Sequence, residues 1–310
     1  MSSANMPIAA PDRPMAAAGL VLIYAMVIGF TDNYVQVIAA EAGLWQFHAT
    51  RGAFAWAILL ALAVPLGLKL RPRNMKAVVA RSMIHAGAML IYFGALAFLP
   101  VALVAAGLFT APIFVLLISR LAYGHHIGPV RIVAVAVGFA GVLLVLGPEA
   151  RGEASLAALL PVLAGALYAL GNIATREWCG GETAETLLGG FFAALGVAGC
   201  LGMIVLGIWP LNPAPGAEGF VARGAVWPSN TFLFWTSIQA AGSLLGVGMM
   251  IKAYQLADAS RVSVIEYLIL PAAALWGWLL WGQTLGMTAI LGMGLIVAAG
   301  MMIALRRPQV

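Results

Sequence analysis

The sequence predicts an all-α polytopic membrane protein: ten transmembrane helices in two inverted five-helix repeats. Three observations predict it. Of 310 residues, 63% are apolar and only 9% are charged, against roughly 25% charged in a soluble domain. The apolar residues form continuous runs about 20 residues long, the length of a membrane-crossing helix, without the apolar/polar alternation of a membrane barrel. The second half of the chain also reads as a copy of the first.

Ten spans follow in order: Met15–Ala40, Leu44–Leu68, Val78–Phe98, Val101–Ala122, Val130–Gly147, Ser155–Trp178, Ala184–Trp209, Asn230–Leu256, Ser260–Gln283 and Gly286–Leu305. The linkers are short except Pro210 to Ser229, whose prolines and glycines mark a loop. Residues 1–14 form a polar N-terminal tail, with no cleavable signal expected, and 306–310 a C-terminal tail. Basic residues set the direction. Arg13, Lys69, Arg71, Arg73, Lys76, Arg81, Arg120, Arg131, Arg176, Lys252, Arg261, Arg306 and Arg307 fall on one side, and Arg51, Arg151 and Arg223 on the other. Both termini are therefore expected in the cytoplasm, which requires an even number of spans, and ten satisfies this. The net charge of +5 is spread over short loops and does not suggest nucleic acid.

The repeat is visible in "LPVALVAAGLFTAPIFVLLISRLAYGHHI" (Leu99–Ile127) and "ASRVSVIEYLILPAAALWGWLLWGQTL" (Ala259–Leu285). Each begins with a turn, runs to a mid-helix proline and closes on a glycine. Pro112 pairs with Pro271, and Gly124 with Gly282, allowing a slip of one residue. Proline removes a ladder donor and kinks the helix, so Pro112 and Pro271 are read as hinges; a static bend that aids packing is the alternative. The repeats are 15–147 and 155–305. An odd number of spans per repeat inverts the second copy, which places a site near the midplane between the halves. Glu266 has no counterpart, since Gly107 takes its place in the first copy.

Three further stretches carry a resemblance. "FHATRGAFAWAILLAL" (Phe47–Leu62) is similar to an early Phe-x-x-x-Arg helix, "LPVALVAAGLFTAPIFVLL" to the repeated proline helix, and "ALYALGNIATRE" (Ala166–Glu177) to the start of a second copy. In this order they resemble the EamA-type branch of the drug/metabolite transporter superfamily, over both halves. Within it the overall likeness, without a diagnostic motif, is to the YddG-type exporters of aromatic and other amino acids. The resemblance implies alternating-access export of amino acids, aromatic or hydrophobic, or of similar metabolites; drugs or other small organic solutes are the alternative cargo. The family commonly has a Gly-Glu pair after the fourth and ninth spans. Here Gly124-His125 and Gly282-Gln283 stand there, so any role of that glutamate is unavailable.

Polar side chains within spans are costly unless they face protein or a water-filled cavity, and helical spacing sorts them. His85, Met89 and Tyr92 share a face, as do Tyr168 and Asn172, and Trp235, Gln239 and Ser243. Tyr24 and Asn33 in the first span and Tyr267 in the ninth complete the candidate substrate-binding set. Packing roles are the alternative for each. Asp32 and Arg51 lie at similar depth and are read as an ion pair, or as groups that meet a charged part of the substrate. Glu266 is read as a rim salt bridge with Lys252 or Arg261, or as a coupling group. Proton coupling needs a central titratable group, His85 or Glu266; uniport needs none. Gly242 and Gly246 form a Gly-x-x-x-Gly that admits a neighbouring helix closely.

No nucleotide-binding, hydrolytic or zinc motif is present. An intramembrane enzyme would have only Asp32 with His48 as an acid/base pair, and a channel would want a polar stripe on several spans. Adjacent His125 and His126 do not suggest a metal. No cofactor and no disulfide between Cys179 and Cys200 are expected. The expected partners are a small-molecule substrate and the lipid bilayer, and a monomer is compatible.

Overall fold

A computed structural model describes residues 13–95, 99, 101–147, 156–284 and 286–305. Residues 1–12, Arg151, Arg306, Arg307, the C-terminal tail and the linker before the sixth span lie outside them. The described residues are helical and linked by turns, as the sequence predicts. The helices are α1 (Pro14–Asp32), α2 (Val35–Glu41), α3 (Leu44–Ala63), α4 (Met75–Ala95), α5 (Val101–Leu108), α6 (Ala111–Leu121), α7 (Pro129–Leu146), α8 (Leu159–Glu177), α9 (Ala184–Ile208), α10 (Asn230–Leu256), α11 (Ala259–Ile265), α12 (Ile269–Trp281) and α13 (Met287–Ala304). Nine segments among them are long and apolar enough to cross a membrane. The tenth span, α3, has 20 residues, but Gln46, His48 and Arg51 in its first turns lower its hydropathy.

Helix pairing repeats across the halves. α3 packs on α9 and α7 on α13, each a span against its own counterpart. The α1–α10 pair is matched by α8–α4, and α1–α12 by α8 on α5 and α6. Such reciprocal pairing is what a two-fold axis in the membrane plane produces. At the α7–α13 seam the backbones nearly touch: a Cβ on Gly141 would lie 2.6 Å from the Gly292 carbonyl oxygen, and one on Gly292 would lie 2.6 Å from that of Gly141. In lipid, where packing drives association, small residues at such seams let helices approach. Gly242 and Gly246 do the same for α1, meeting Thr31 and Ile28.

The two proline spans are both broken. Pro271 has no N–H for the Tyr267 carbonyl, and residues Glu266–Leu268 tighten into a 3₁₀ turn between α11 and α12. Pro112 sits at the start of α6, after a turn at Phe109 and Thr110, whose hydroxyl donates to the Gly107 carbonyl at 2.5 Å. The two breaks meet. Ile113 N–H bonds Thr110 rather than Phe109, and the freed Phe109 carbonyl accepts from the Tyr267 hydroxyl at 3.1 Å. Gly124 and Gly282 close their spans in the left-handed conformation, φ +66° and +63°, which favours glycine.

Two spans differ from expectation. The first is interrupted at Asn33 and Tyr34, between α1 and α2. Asn33 donates its amide N–H to the Gly29 carbonyl at 2.7 Å and to Ala273 at 3.3 Å, so it competes for backbone acceptors at the α1 terminus. The second ends at Ala63 and not Leu68, because Pro65 lacks a ladder donor and Gly67 turns the chain at φ +62°.

The long loop is fastened to the end of α2. Arg223 donates to the Ala39, Ala40 and Ala42 carbonyls at 2.8, 3.3 and 3.4 Å and also to Gly216. A cation there satisfies the free carbonyls of a helix C-terminus. Gln46 makes a two-way bond with the Val226 backbone, 2.8 and 2.9 Å. At the opposite end, Arg131 on α7 pairs with Asp258, the N-cap of α11, at 2.7 Å. Cys179 and Cys200 are both free.

Candidate functional site

Between the halves lies a cavity of about 170 Å³. On the scale at which roughly 10–15 Å³ holds one water, that is on the order of ten waters, the bulk of a small organic solute. Its walls come from α1, α3, α4, the α5–α6 break, α8, α9, α10 and the α11–α12 break. The α7 and α13 helices stay outside it. Seven aromatic rings face it: Tyr24, Tyr92, Phe93, Phe109, Tyr168, Phe191 and Tyr267.

The predicted α4 stripe enters the wall whole, with His85, Met89 and Tyr92 all lining it. Tyr24, Tyr168, Asn172, Gln239 and Tyr267 join them, as do Asp32, Arg51, Glu266 and Pro112. Four candidates do not. Asn33 is spent on backbone carbonyls, as above. Trp235 stacks on Tyr34, centroids 3.6 Å apart and planes at 14°, in an aromatic cluster with Phe30, Trp276 and Trp281. Lys252 is exposed on α10. Pro271 lies outside the wall and acts on it only through the break that places Glu266 and Tyr267 in that wall.

One end of the cavity is a hydrogen-bonded network. The Asn172 amide oxygen meets His85 Nε2 at 3.0 Å, which makes that nitrogen the donor. The Asn172 amide nitrogen donates to the Tyr254 hydroxyl at 3.1 Å and to Glu266 Oε1 at 3.4 Å. The Tyr254 hydroxyl also donates to Glu266 Oε1. Lys252 therefore takes no part in holding Glu266; Tyr254 and Asn172 do. Arg81, 1% exposed, donates to the Thr175 hydroxyl at 3.0 Å and the Leu187 carbonyl at 3.3 Å. Gly171 leaves room for the His85 ring, where any Cβ would collide.

Arg81 and Tyr254 were not among the predicted residues. Arg81 counts in sequence as a loop charge, yet it sits four residues before His85 on the same stripe. Tyr254 continues the Gln239–Ser243 face of α10 by three turns.

The other end holds Asp32 and Arg51. They do not form the expected ion pair: the pairs closer than 4.0 Å among the described residues are Arg131–Asp258 and His125–Glu177. Asp32 is exposed at the mouth and accepts from Gln239 at 3.1 Å; Ser243 donates to the Gln239 amide oxygen at 2.6 Å. Arg51 is buried between the Phe47 and Phe192 rings, 5.4 and 5.3 Å from their centroids. Its Nε–H finds no acceptor. A cation–π contact contributes at most about 2 kcal/mol, whereas an uncompensated buried charge costs several. Asp32 attracts Arg51 through space but makes no direct ion pair with it, so the guanidinium keeps unused donors. Among the described residues no group of His, Cys, Asp and Glu is arranged to hold a metal.

Comparison with known proteins agrees with this architecture. Residues 15–147 match the EamA-like transporter family. A riboflavin transporter of Rhizobium johnstonii is 30% identical over 268 residues, 86% of this chain and 80% of the relative. A pseudopaline exporter of Pseudomonas aeruginosa is 25% identical over 284 residues, 90% of this chain and 93% of its own. A solved crystal structure superposes with a TM-score of 0.75 over 94% of this chain and 98% of that one, at 16% identity, which shows the fold. These names point to transport and not to an enzyme, and neither gives an amino acid as its cargo. The chain is a multi-pass membrane transporter and belongs to the EamA-like transporter family.

Proposed function

We propose that the chain exports a small solute with an aromatic or hydrophobic body, an amino acid in the first instance, across the bacterial inner membrane by alternating access. The observation that carries this reading is the cavity between the halves, ringed by aromatic side chains and polar at both ends. Stacked and edge-on rings hold a flat apolar body, and the polar ends take its head group. The reciprocal broken helices supply the moving parts. Their breaks meet at Tyr267 and Phe109 beside the cavity, so rocking one half against the other changes which end is open. Both termini lie in the cytoplasm on this reading, because the side bearing Arg13 and Lys69 carries most of the basic residues. The Asp32 end then faces the periplasm.

A second cargo, a flavin, is favoured by the name of the relative at 30% identity. The two are separated by thermal unfolding of the purified protein with aromatic amino acids or with riboflavin. A ligand that binds only the folded state raises the melting temperature by mass action. Stabilisation by tryptophan or phenylalanine and not by riboflavin supports the amino-acid reading. The reverse replaces it with the flavin.

A further inference from the structure

We propose that Arg51 selects the charge of the cargo: it receives a carboxylate, and together with Asp32 it confines the cavity to solutes that carry a carboxylate and a cationic group on an apolar body. The inference rests on the central cavity being the transport site.

Arg51 is 7% exposed and lines that cavity. Phe47 and Phe192 pack against its guanidinium. Ring faces fix the plane of a guanidinium but accept none of its in-plane N–H bonds, so the donor fork stays available. No protein hydrogen bond or ion pair engages it among the described residues.

The other buried charges of the same wall are occupied. Arg81 is taken by Thr175 and Leu187, and Glu266 by Tyr254 and Asn172. Arg51 alone among these three keeps its donors unused. A guanidinium fork matches a carboxylate in plane, with two parallel charge-assisted bonds. A lysine there offers a point charge and loses that match.

Asp32 narrows the class further. It lines the same cavity and is exposed, with one bond from Gln239. A phosphate dianion at Arg51 would sit near this carboxylate and be repelled. An amino group on the carbon bearing the cargo's carboxylate is instead attracted to it. The lining holds two arginines and two acids, a formal balance that suits a zwitterion better than a net anion.

The test compares phenylalanine with phenylalaninamide, which carries a neutral amide in place of the carboxylate, at about pH 6 where both amines are protonated, by ligand-dependent thermal unfolding of the full chain in detergent. In the wild type the acid is expected to bind at least about tenfold more tightly than the amide, as befits one charge-assisted pair. In Arg51→Gln that ratio is expected to fall to about one, and in Arg51→Lys to an intermediate value. Equal binding of acid and amide to the wild type overturns the inference without any variant. So does a ratio that survives in Arg51→Gln. Binding of riboflavin but of neither phenylalanine compound overturns it while leaving aromatic transport standing. Binding of none of the three overturns both.

Discussion

Replacing Tyr267 with phenylalanine isolates a hydrogen bond that joins the two broken spans. The ring would stay where it is: Tyr267 is fully buried, packs 6.2 Å from the Phe109 ring centroid, and fills space that Gly138 leaves open. Only the hydroxyl goes, and with it the 3.1 Å bond to the Phe109 carbonyl. That carbonyl has already lost its helical partner to the break, so it would be left unsatisfied. A stranded buried acceptor costs about 1–3 kcal/mol. For a chain of this size that is a fall of about 2–6 °C in melting temperature. Thermal unfolding in detergent, followed by tryptophan fluorescence, measures it. Tyr267→Ala serves as the upper mark, because loss of the whole ring costs about 3–5 kcal/mol. If Tyr267→Phe melts with the wild type while Tyr267→Ala falls, the hydroxyl bond to Phe109 contributes nothing and its stabilising role is refuted.

Four further outcomes follow from other positions. Gly141→Val forces a side chain against the Gly292 carbonyl and Ile296, and is expected to destabilise by about 1–3 kcal/mol. Gly19→Ala, with nothing within 4 Å of its new Cβ, is expected to melt within error of the wild type or slightly above it. Asn172→Leu removes the amide shared by His85, Tyr254 and Glu266. The expected cost is about 1–3 kcal/mol for each group stranded, read as a lowered melting temperature. Asp258 supplies a pH test outside the membrane-spanning segments. Partial burial pushes its carboxyl up, but Arg131 and the Ser260 N–H and hydroxyl outweigh that and hold it below its ordinary range. A depressed folded pKa adds stability above the unfolded value of about 3.9, and that stability is lost as pH falls through the lower folded value. The melting temperatures of wild type and Asp258→Asn should therefore differ at pH 7, and the gap should shrink progressively as pH falls below about 4. A gap that does not change with pH refutes the pairing.

The sequence carries most of the architecture because lipid imposes a simple rule: apolar runs of the right length become helices. It also carries both proline breaks, since a missing N–H acts wherever it stands. The break after Asp32 is less visible. Its signal is the polar run Thr31-Asp32-Asn33 inside an apolar span, and nothing local says that Asn33 will turn back onto carbonyls. For the site, helical spacing correctly groups His85, Met89 and Tyr92, and Gln239 with Ser243. Spacing gives a face but not a depth. Trp235 shares the Gln239 face, yet it lies one turn beyond, where Tyr34 covers it. Lys252 has a long stem and a charge that water keeps, so it stays outside. Arg81 is the converse: in sequence it belongs with the basic loop, and only the Thr175 and Leu187 acceptors on α8 and α9 explain its burial. The open pairing of Asp32 and Arg51 depends on the separation of α1 and α3, which no local pattern encodes.

If the cavity between the halves carries an aromatic solute by alternating access, counterflow follows: proteoliposomes loaded with unlabelled phenylalanine and diluted into a trace of the labelled compound should accumulate label transiently above equilibrium, saturably in phenylalanine and less in Arg51→Gln. Label that enters only to equilibrium, at a rate linear in concentration and indifferent to the loaded solute, would contradict it.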